Sequence, residues 1–301
     1  MPNDREQLRV TFDSIADDYH QARPEYPPAL YDALIELAEL RPGDRLLEIG
    51  CATGKATIPL ADRGYPMTCI ELGGELAAQA RRYLAGYPDV EVLHGAFEEW
   101  DPPAGAGFSL VFAATAWHWI DPTVRYQKAW NVLGPGGHLA FWSAAHVFPP
   151  DGDPIFAELQ PVYDEIGESK SDDWFCPRPD QMTDFAAEIA GSGLFTDVQV
   201  QRFDWEVRYT ADQYIALLDT FSNHIAMGQA KRDRLFGEVR RRLADRPDGQ
   251  LRRHWGAVLH VARRSAGVQG SSPFGQHRPS TRRLIEGAIR AKANSIEAHD
   301  P

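Results

Sequence analysis

The chain has 301 residues, of which 43% are hydrophobic and 25% are charged, which is usual for a globular protein with a large core. Its formal net charge of −12 argues against a large nucleic-acid footprint, which needs clustered lysine and arginine. The start of the sequence lacks the apolar core of a signal peptide, and no apolar run reaches membrane-spanning length. Three cysteines without metal-ligand spacing predict a reduced, cytoplasmic chain with no metal site.

Strand and helix patterns alternate from residue 41 to residue 143. The predicted strands are 45–49, 66–71, 90–93, 108–113 and 138–143, and the predicted helices are 56–62, 74–85 and 122–133. This alternation is typical of an α/β fold with a mostly parallel sheet and helices on both faces. The near-continuous apolar run at 108–114 favours a central strand that is buried on both sides.

The alternation stops after residue 143. A segment rich in proline, aspartate and aromatic residues at 146–178 predicts an irregular cap over the strand tips. A helix, a strand, one or two further helices and a last strand are then predicted at 182–192, 198–209, 211–245 and 253–263. From residue 265 the composition changes to that of a linker, and a short amphipathic helix is predicted beyond it.

The most informative stretch follows the first strand. It contains Glu48, Gly50 and Gly54, and the second strand ends at Glu71. Ligands of open α/β sheets bind at the carboxyl ends of the strands, where Glu71 could accept both hydroxyls of a ribose. The Gly-x-Gly-x-x-Gly spacing of a pyrophosphate loop is absent. Glu48 would repel a pyrophosphate but suits a ligand that carries an ammonium and a sulfonium.

This stretch resembles the first motif of the class I S-adenosylmethionine-dependent methyltransferases, Glu-x-Gly-x-Gly-x-Gly, with Ala52 in place of the middle glycine. The Ala-Trp-His-Trp sequence at 116–119 resembles a subgroup of small-molecule enzymes, the methyltransferase type 11 or trans-aconitate methyltransferase-like group. The resemblance implies a Rossmann-like sheet of seven strands with a helical or irregular cap. It also implies S-adenosylmethionine as the cofactor and a small-molecule acceptor that is methylated on oxygen or nitrogen, or on a carboxylate.

The resemblance also divides the chain into segments and assigns roles to residues. The segments are an N-terminal lid with a first helix (1–40), the cofactor-binding core (41–145), a cap with the remaining strands and a helical insertion of the same domain (146–264), and a flexible linker with a short helix (265–301). The residues expected to bind the cofactor are Glu48, Gly50, Cys51, Ala52, Thr53, Gly54, Glu71, Leu72, Ala96, Phe97, Ala113, Ala114 and, from the lid, Tyr19 and Arg23. The residues expected to contact the acceptor are Trp117, Trp119, His146 and Tyr214.

His118 is the predicted catalytic base, because imidazole titrates near neutral pH and its loop follows the fourth strand, at the same sheet edge as Glu71. A hydrogen-bonded structural histidine is the competing interpretation. A base is needed only if the acceptor arrives protonated. For a carboxylate acceptor, a cation such as Arg23 would matter more.

Two other functions fit part of the pattern. A nicotinamide-dependent oxidoreductase would also use Glu71, on a ribose hydroxyl, but the missing glycine spacing and Glu48 speak against it. A non-catalytic protein that binds S-adenosylmethionine is the other alternative. Enzymes that methylate base amino groups resemble one another in an Asn/Asp-Pro-Pro-Tyr/Phe motif after the fourth strand, where this chain has Ala-Thr-Ala-Trp. The sequence leaves the acceptor atom and the oligomeric state open.

Overall fold

The computed structural model describes residues 20–103, 105–168 and 177–266. Eight strands lie within these residues: β1 (Leu46–Ile49), β2 (Met67–Glu71), β3 (Val90–His94), β4 (Phe108–Ala114), β5 (Leu133–Trp142), β6 (Ala144–His146), β7 (Phe195–Thr210) and β8 (Gln250–Arg264). They form one sheet in the order β3-β2-β1-β4-β5-β8-β6, and β7 pairs with β8 along its other edge. The mostly parallel α/β sheet that the sequence predicts is therefore confirmed.

Nine helices accompany the strands in the described residues: α1 (Pro28–Leu37), α2 (Thr57–Ala61), α3 (Gly74–Tyr83), α4 (Arg125–Val132), α5 (Ile155–Glu165), α6 (Ala186–Gly191), α7 (Ala211–Leu218), α8 (Ser222–Ala226) and α9 (Gln229–Ala244). Short 3-10 turns cover Trp117–Trp119 and Pro179–Gln181. None of the helices in the described part of the chain is long and apolar enough to cross a membrane.

The parallel strands β1 to β5 all end at one edge of the sheet. β1 lies between β2 and β4, so the strand order reverses at the end of β1. This reversal opens a crevice in which ligands of doubly wound sheets bind. The loops after β1, β2, β3 and β4 therefore meet at one place.

The sheet has eight strands where the resemblance implied seven. The additional strand is β6, three residues that follow β5 after a break at Ser143. β8 is 15 residues long and extends past the end of β5, so Ala144–His146 can pair with its free edge. β5 also begins earlier than predicted, because Leu133 already pairs with Phe108.

Three groups of buried side chains form the core. One packs between the sheet and α1 to α3, and the second lies on the opposite face, under α4 and α6. The third joins α5, α7 and α9 to the first part of β8, so the cap and the helical insertion share a core. The insertion contains three helices rather than one or two. The predicted C-terminal helix lies outside the described residues.

Candidate active site

An open cavity of about 280 Å³ lies where the carboxyl ends of β1, β2 and β4 meet. The predicted residues that line it are Gly50, Ala52, Glu71, Leu72, Phe97, Ala114, Arg23, His118 and Trp119. They come from separate loops and from the segment before α1. The strand order thus gathers residues that are almost a hundred positions apart in the sequence.

Glu71 lies at the end of β2 and is 7% exposed. Its Oε2 accepts a hydrogen bond from the Ala52 N–H and its Oε1 accepts one from the Gly73 N–H, both at 2.8 Å. These bonds fix the carboxylate beside the β1 loop. A carboxylate offers about four lone-pair sites, so its hold on the loop is compatible with contacts to two ribose hydroxyls.

The loop after β1 has a left-handed backbone at three positions: φ is +71° at Gly50, +48° at Ala52 and +91° at Gly54. A Cβ atom on Gly50 would come within 2.6 Å of the Cβ of Ala116, in the loop after β4. Glycine at this position therefore lets the two loops touch. The turn also directs the Ala52 N–H toward Glu71.

Ala52 carries backbone strain that a glycine would relieve. A non-glycine residue in the left-handed region costs about 1–2 kcal/mol. Glycine removes this cost, but its more flexible unfolded state reduces the gain in stability by about 0.4–1 kcal/mol. We therefore expect Ala52→Gly to raise the free energy of unfolding in urea by about 0.5–1 kcal/mol. Ala190→Gly, within helix α6, is the control and should lower it by about 1 kcal/mol. A loss of stability in both variants would contradict the strain at Ala52.

Glu48 lies under the loop and is 1% exposed. Its Oε2 accepts a hydrogen bond from Thr57 Oγ1 at 2.6 Å, whereas its Oε1 has no partner among the described residues. Burial raises the pKa of Glu48 to about 7, against the effect of the Thr57 bond. Glu48 lines a smaller cavity of about 50 Å³ that adjoins the main one at Gly50 and Ala52.

Cys51 shares this buried region. A hydrogen bond with Cys69, followed by burial, raises the pKa of the Cys51 thiol well above its usual value. Cys51 is thus a buried thiol with no nucleophilic character at neutral pH. Among the described residues, no cluster of histidine, cysteine or carboxylate side chains could hold a metal ion.

The loop after β4 places its aromatic residues on different sides. His118 and Trp119 line the cavity, with their ring centroids 4.8 Å apart. Trp117 is turned into the core and stacks on Phe141 at 5.1 Å. Thr115, at the start of this loop, has a φ of +54° and also lines the cavity.

The segment before α1 contacts both the loop after β1 and the helical insertion. His20 Nδ1 lies 2.9 Å from Thr53 Oγ1, and the Tyr26 hydroxyl lies 2.7 Å from Thr115 Oγ1. Arg23 Nη2 donates a hydrogen bond to the Thr220 carbonyl at 2.9 Å. This segment therefore covers one side of the cavity, as a lid would. Tyr19 lies outside the described residues.

The remaining predicted site residues lie away from the main cavity. Cys51 borders only the smaller cavity, as Glu48 does, and Thr53, Gly54, Ala96 and Ala113 line neither cavity. His146 is 1% exposed and packs against Phe148 and Phe156. Tyr214 is also 1% exposed and belongs to the third core group. The structure does not bring His146 or Tyr214 to the site.

Several cavity residues were not predicted from the sequence, and they come from the cap, the insertion and β8. They are Met182, Phe185, Phe221, Asn223, Val258 and His260. Burial lowers the pKa of His260 against the opposing effect of Asp184, so its ring is neutral near pH 7. No local motif marks these residues, because only the folding of the insertion over the sheet brings them to the cavity.

Gly256 in β8 affects the shape of this wall. A Cβ atom on Gly256 would lie 2.4 Å from Met182 Sδ and 2.7 Å from Val147 Cγ1. The bare backbone of β8 therefore leaves room for the Met182 side chain, which lines the cavity.

Comparison with known proteins finds methyltransferases. Residues 46–137 match the methyltransferase domain family. An uncharacterized methyltransferase of Mycobacterium tuberculosis is 28% identical over 244 residues, which cover 81% of this chain and 89% of the relative. The malonyl-[acyl-carrier protein] O-methyltransferase of Enterobacter lignolyticus is 27% identical over 236 residues, covering 77% of this chain and 85% of the relative.

A solved structure from Anaeromyxobacter dehalogenans that is named as a type II methyltransferase shares the fold. Its TM-score is 0.56 at 22% identity, and the match covers 80% of this chain and 97% of the other. The carboxylate at the end of β2 and the β1 loop fit S-adenosylmethionine, which is the cofactor of this enzyme. The methyltransferase domain at residues 46–137, the relatives named as methyltransferases and the shared fold together support a class I S-adenosylmethionine-dependent methyltransferase.

Proposed function

We propose that this enzyme methylates an oxygen atom of a small-molecule acid, and that the acceptor group is a carboxylate. The observation that carries this proposal is the separation of charge within the cavity. The charged residues that line it in the described part of the chain are Glu71, Glu98 and Arg23. The two acids come from the end of β2 and the segment after β3, whereas the cation contacts the helical insertion.

The sheet order explains this separation. Glu71 ends β2 and Glu98 follows β3, so both lie on the side of the crevice that holds the adenosine. Arg23 donates a hydrogen bond to the Thr220 carbonyl and stacks on Phe221 at 4.3 Å, so it contacts the insertion, although it also borders the smaller cavity beside the β1 loop. An anionic acceptor is attracted to this cation, whereas a protonated amine is repelled.

The walls that the cap, the insertion and β8 contribute are largely apolar. Phe221, Phe185 and Met182 line the cavity together with Pro177 and Val258. Such walls bind a hydrocarbon or aromatic body, while one cation orients the acid group. The acceptor that fits has an apolar body and a single acid group.

The chemical demand on the protein is light. S-adenosylmethionine supplies an electrophilic methyl group on a sulfonium. The residues of the chain would hold the acceptor oxygen near that methyl when the cofactor is bound, and such positioning contributes roughly 7–11 kcal/mol in favourable cases. Arg23 orients the carboxylate, and the aromatic walls exclude water. A carboxylate needs no base, so His118 forms part of the wall in this mechanism.

The name of one relative agrees with the proposal. The Enterobacter lignolyticus protein is named as an O-methyltransferase of a malonyl group. An O-methylation of an acid by this chain would be chemistry of the same kind.

A panel of acceptors tests the proposal. Methyl transfer from radiolabelled S-adenosylmethionine is measured with linear carboxylic acids from acetate to decanoate, with phenylacetate, and with the matched alcohols and amines. We expect the acids to be methylated. For the best acid, Arg23→Gln should raise KM roughly 10-fold, the effect of one lost charge-assisted hydrogen bond. His118→Asn should leave kcat within about threefold.

Arg240→Gln is the matched control, because Arg240 pairs with the exposed Asp212 on helix α7. It should leave both constants unchanged. If the alcohols are the acceptors and His118→Asn lowers kcat by roughly 10²-fold or more, His118 is a general base and the proposal is wrong. Binding of the cofactor without any turnover would favour the non-catalytic alternative.

A further inference from the structure

Three hydrogen-bonded side chains connect the core of the cap to the cavity. The Tyr163 hydroxyl on α5 lies 3.1 Å from His224 Nε2, and His224 Nδ1 lies 3.0 Å from Asn223 Oδ1. His224 is fully buried, and Tyr163 is 7% exposed. Asn223 lines the cavity. These hydrogen bonds therefore lead from the buried interior to the wall of the cavity.

The chemistry of these groups sets the direction of the hydrogen bonds. A carboxamide oxygen only accepts, so His224 Nδ1 carries the proton that it donates to Asn223 Oδ1. In the neutral ring, Nε2 then accepts from the Tyr163 hydroxyl. The carboxamide oxygen of Asn223 accepts from His224, and the carboxamide nitrogen carries the two N–H donors.

The surroundings of Asn223 match the proposed acceptor. Phe221 lines the same cavity two residues earlier, and Arg23 stacks on its ring. Arg23 also holds the Thr220 carbonyl, three residues before Asn223. Arg23 and Asn223 thus line the same cavity, and Arg23 contacts the two residues Thr220 and Phe221 that lie just before Asn223 in the sequence. This arrangement suits the two oxygens of a carboxylate.

We propose that Asn223 is an acceptor-binding residue that donates an N–H to the acceptor oxygen, and that His224 and Tyr163 are positioning residues that fix the orientation of its amide. This inference rests on the proposed function, since it names a further residue for the same acceptor. It assigns the helical insertion a role in orienting the acceptor.

The test uses the panel member with the highest kcat/KM and saturating S-adenosylmethionine. Asn223→Asp keeps the shape of the side chain but replaces the N–H donors with a negative charge. We expect it to raise the acceptor KM roughly 10-fold or more, with a smaller change in kcat and no change in the Kd of S-adenosylhomocysteine. Tyr163→Phe should raise KM roughly threefold.

Tyr163→Phe should have no further effect on KM in an Asn223→Ala background, because its action passes through Asn223. Asn131→Asp, on the surface of helix α4, is the matched control. The inference is overturned if Asn223→Asp changes KM no more than Asn131→Asp, or if the effects of Tyr163→Phe and Asn223→Ala are additive. If an alcohol or amine is the methylated member, the proposed function fails, and the same variants measured with that acceptor still decide the role of Asn223. If no acceptor of the panel is methylated, both the proposed function and the role of Asn223 are contradicted.

Discussion

Replacing Glu71 by glutamine is expected to weaken the binding of S-adenosylhomocysteine roughly 100-fold or more, because we propose that Glu71 binds two ribose hydroxyls and each hydrogen bond to a charged group contributes about 1.5–3 kcal/mol. The carboxylate is 7% exposed and lies against the β1 loop through the Ala52 and Gly73 amides. Glutamine keeps one acceptor oxygen but places an N–H₂ group where the other oxygen was. Isothermal titration calorimetry with the purified protein measures the change directly.

The same substitution leaves one backbone N–H without an acceptor, so a loss of about 1–3 kcal/mol in the free energy of unfolding should accompany it. Circular dichroism at the titration temperature establishes that the variant is folded. Glu91→Gln, on an exposed residue of β3, is the matched control and should bind normally. An affinity within threefold of the unmodified protein would remove Glu71 from the ribose site.

Replacing Glu48 by glutamine is expected to stabilise the protein at pH 8 and to have little effect below pH 5. The folded-state pKa of Glu48 is about 7, above the ordinary value of 4.5, because the side chain is buried. The folded protein therefore holds a proton that the unfolded chain releases between these two values. Stability from this group falls as pH rises from about 4.5 to about 7, by about 3 kcal/mol in total. Glutamine resembles the protonated form and removes this dependence.

The free energy of unfolding in urea, measured at several pH values, gives the test. The variant should be more stable than the unmodified protein by about 2–3 kcal/mol at pH 8, and the two curves should converge below pH 5. Glu91→Gln serves as the control here also, since a solvent-exposed carboxylate has no burial cost to remove. A difference that is constant across this pH range would show that Glu48 does not titrate between pH 5 and 8.

The cofactor half of the site could be predicted from the sequence because its signals are local. An apolar strand followed by a glycine-containing turn, and a second strand that ends in Glu71, place their residues by short-range geometry alone. The structure puts Glu71 and Ala52 in hydrogen-bond contact. The strand order then brings the loop of His118 to the same edge.

The acceptor half could not be predicted in the same way. Phe221 and Asn223 come to the cavity only because the third core group folds the insertion back over the sheet. His146 and Tyr214 have the residue types of ligand contacts, but they fill that same core. Which aromatic residue faces a ligand and which faces the interior depends on packing between distant segments. The eighth strand has the same kind of origin, since β6 exists only where β8 extends past β5.

The missing side chain of Gly256 has a consequence for how acceptors are selected. The thioether of Met182 occupies the space that a methyl group on β8 would need. A larger residue at this position would displace the flexible end of Met182 toward the cavity. The space for the acceptor would then be shorter. The length of acceptor that fits can thus be changed by a substitution within the sheet, which contacts neither S-adenosylmethionine nor the reacting atoms.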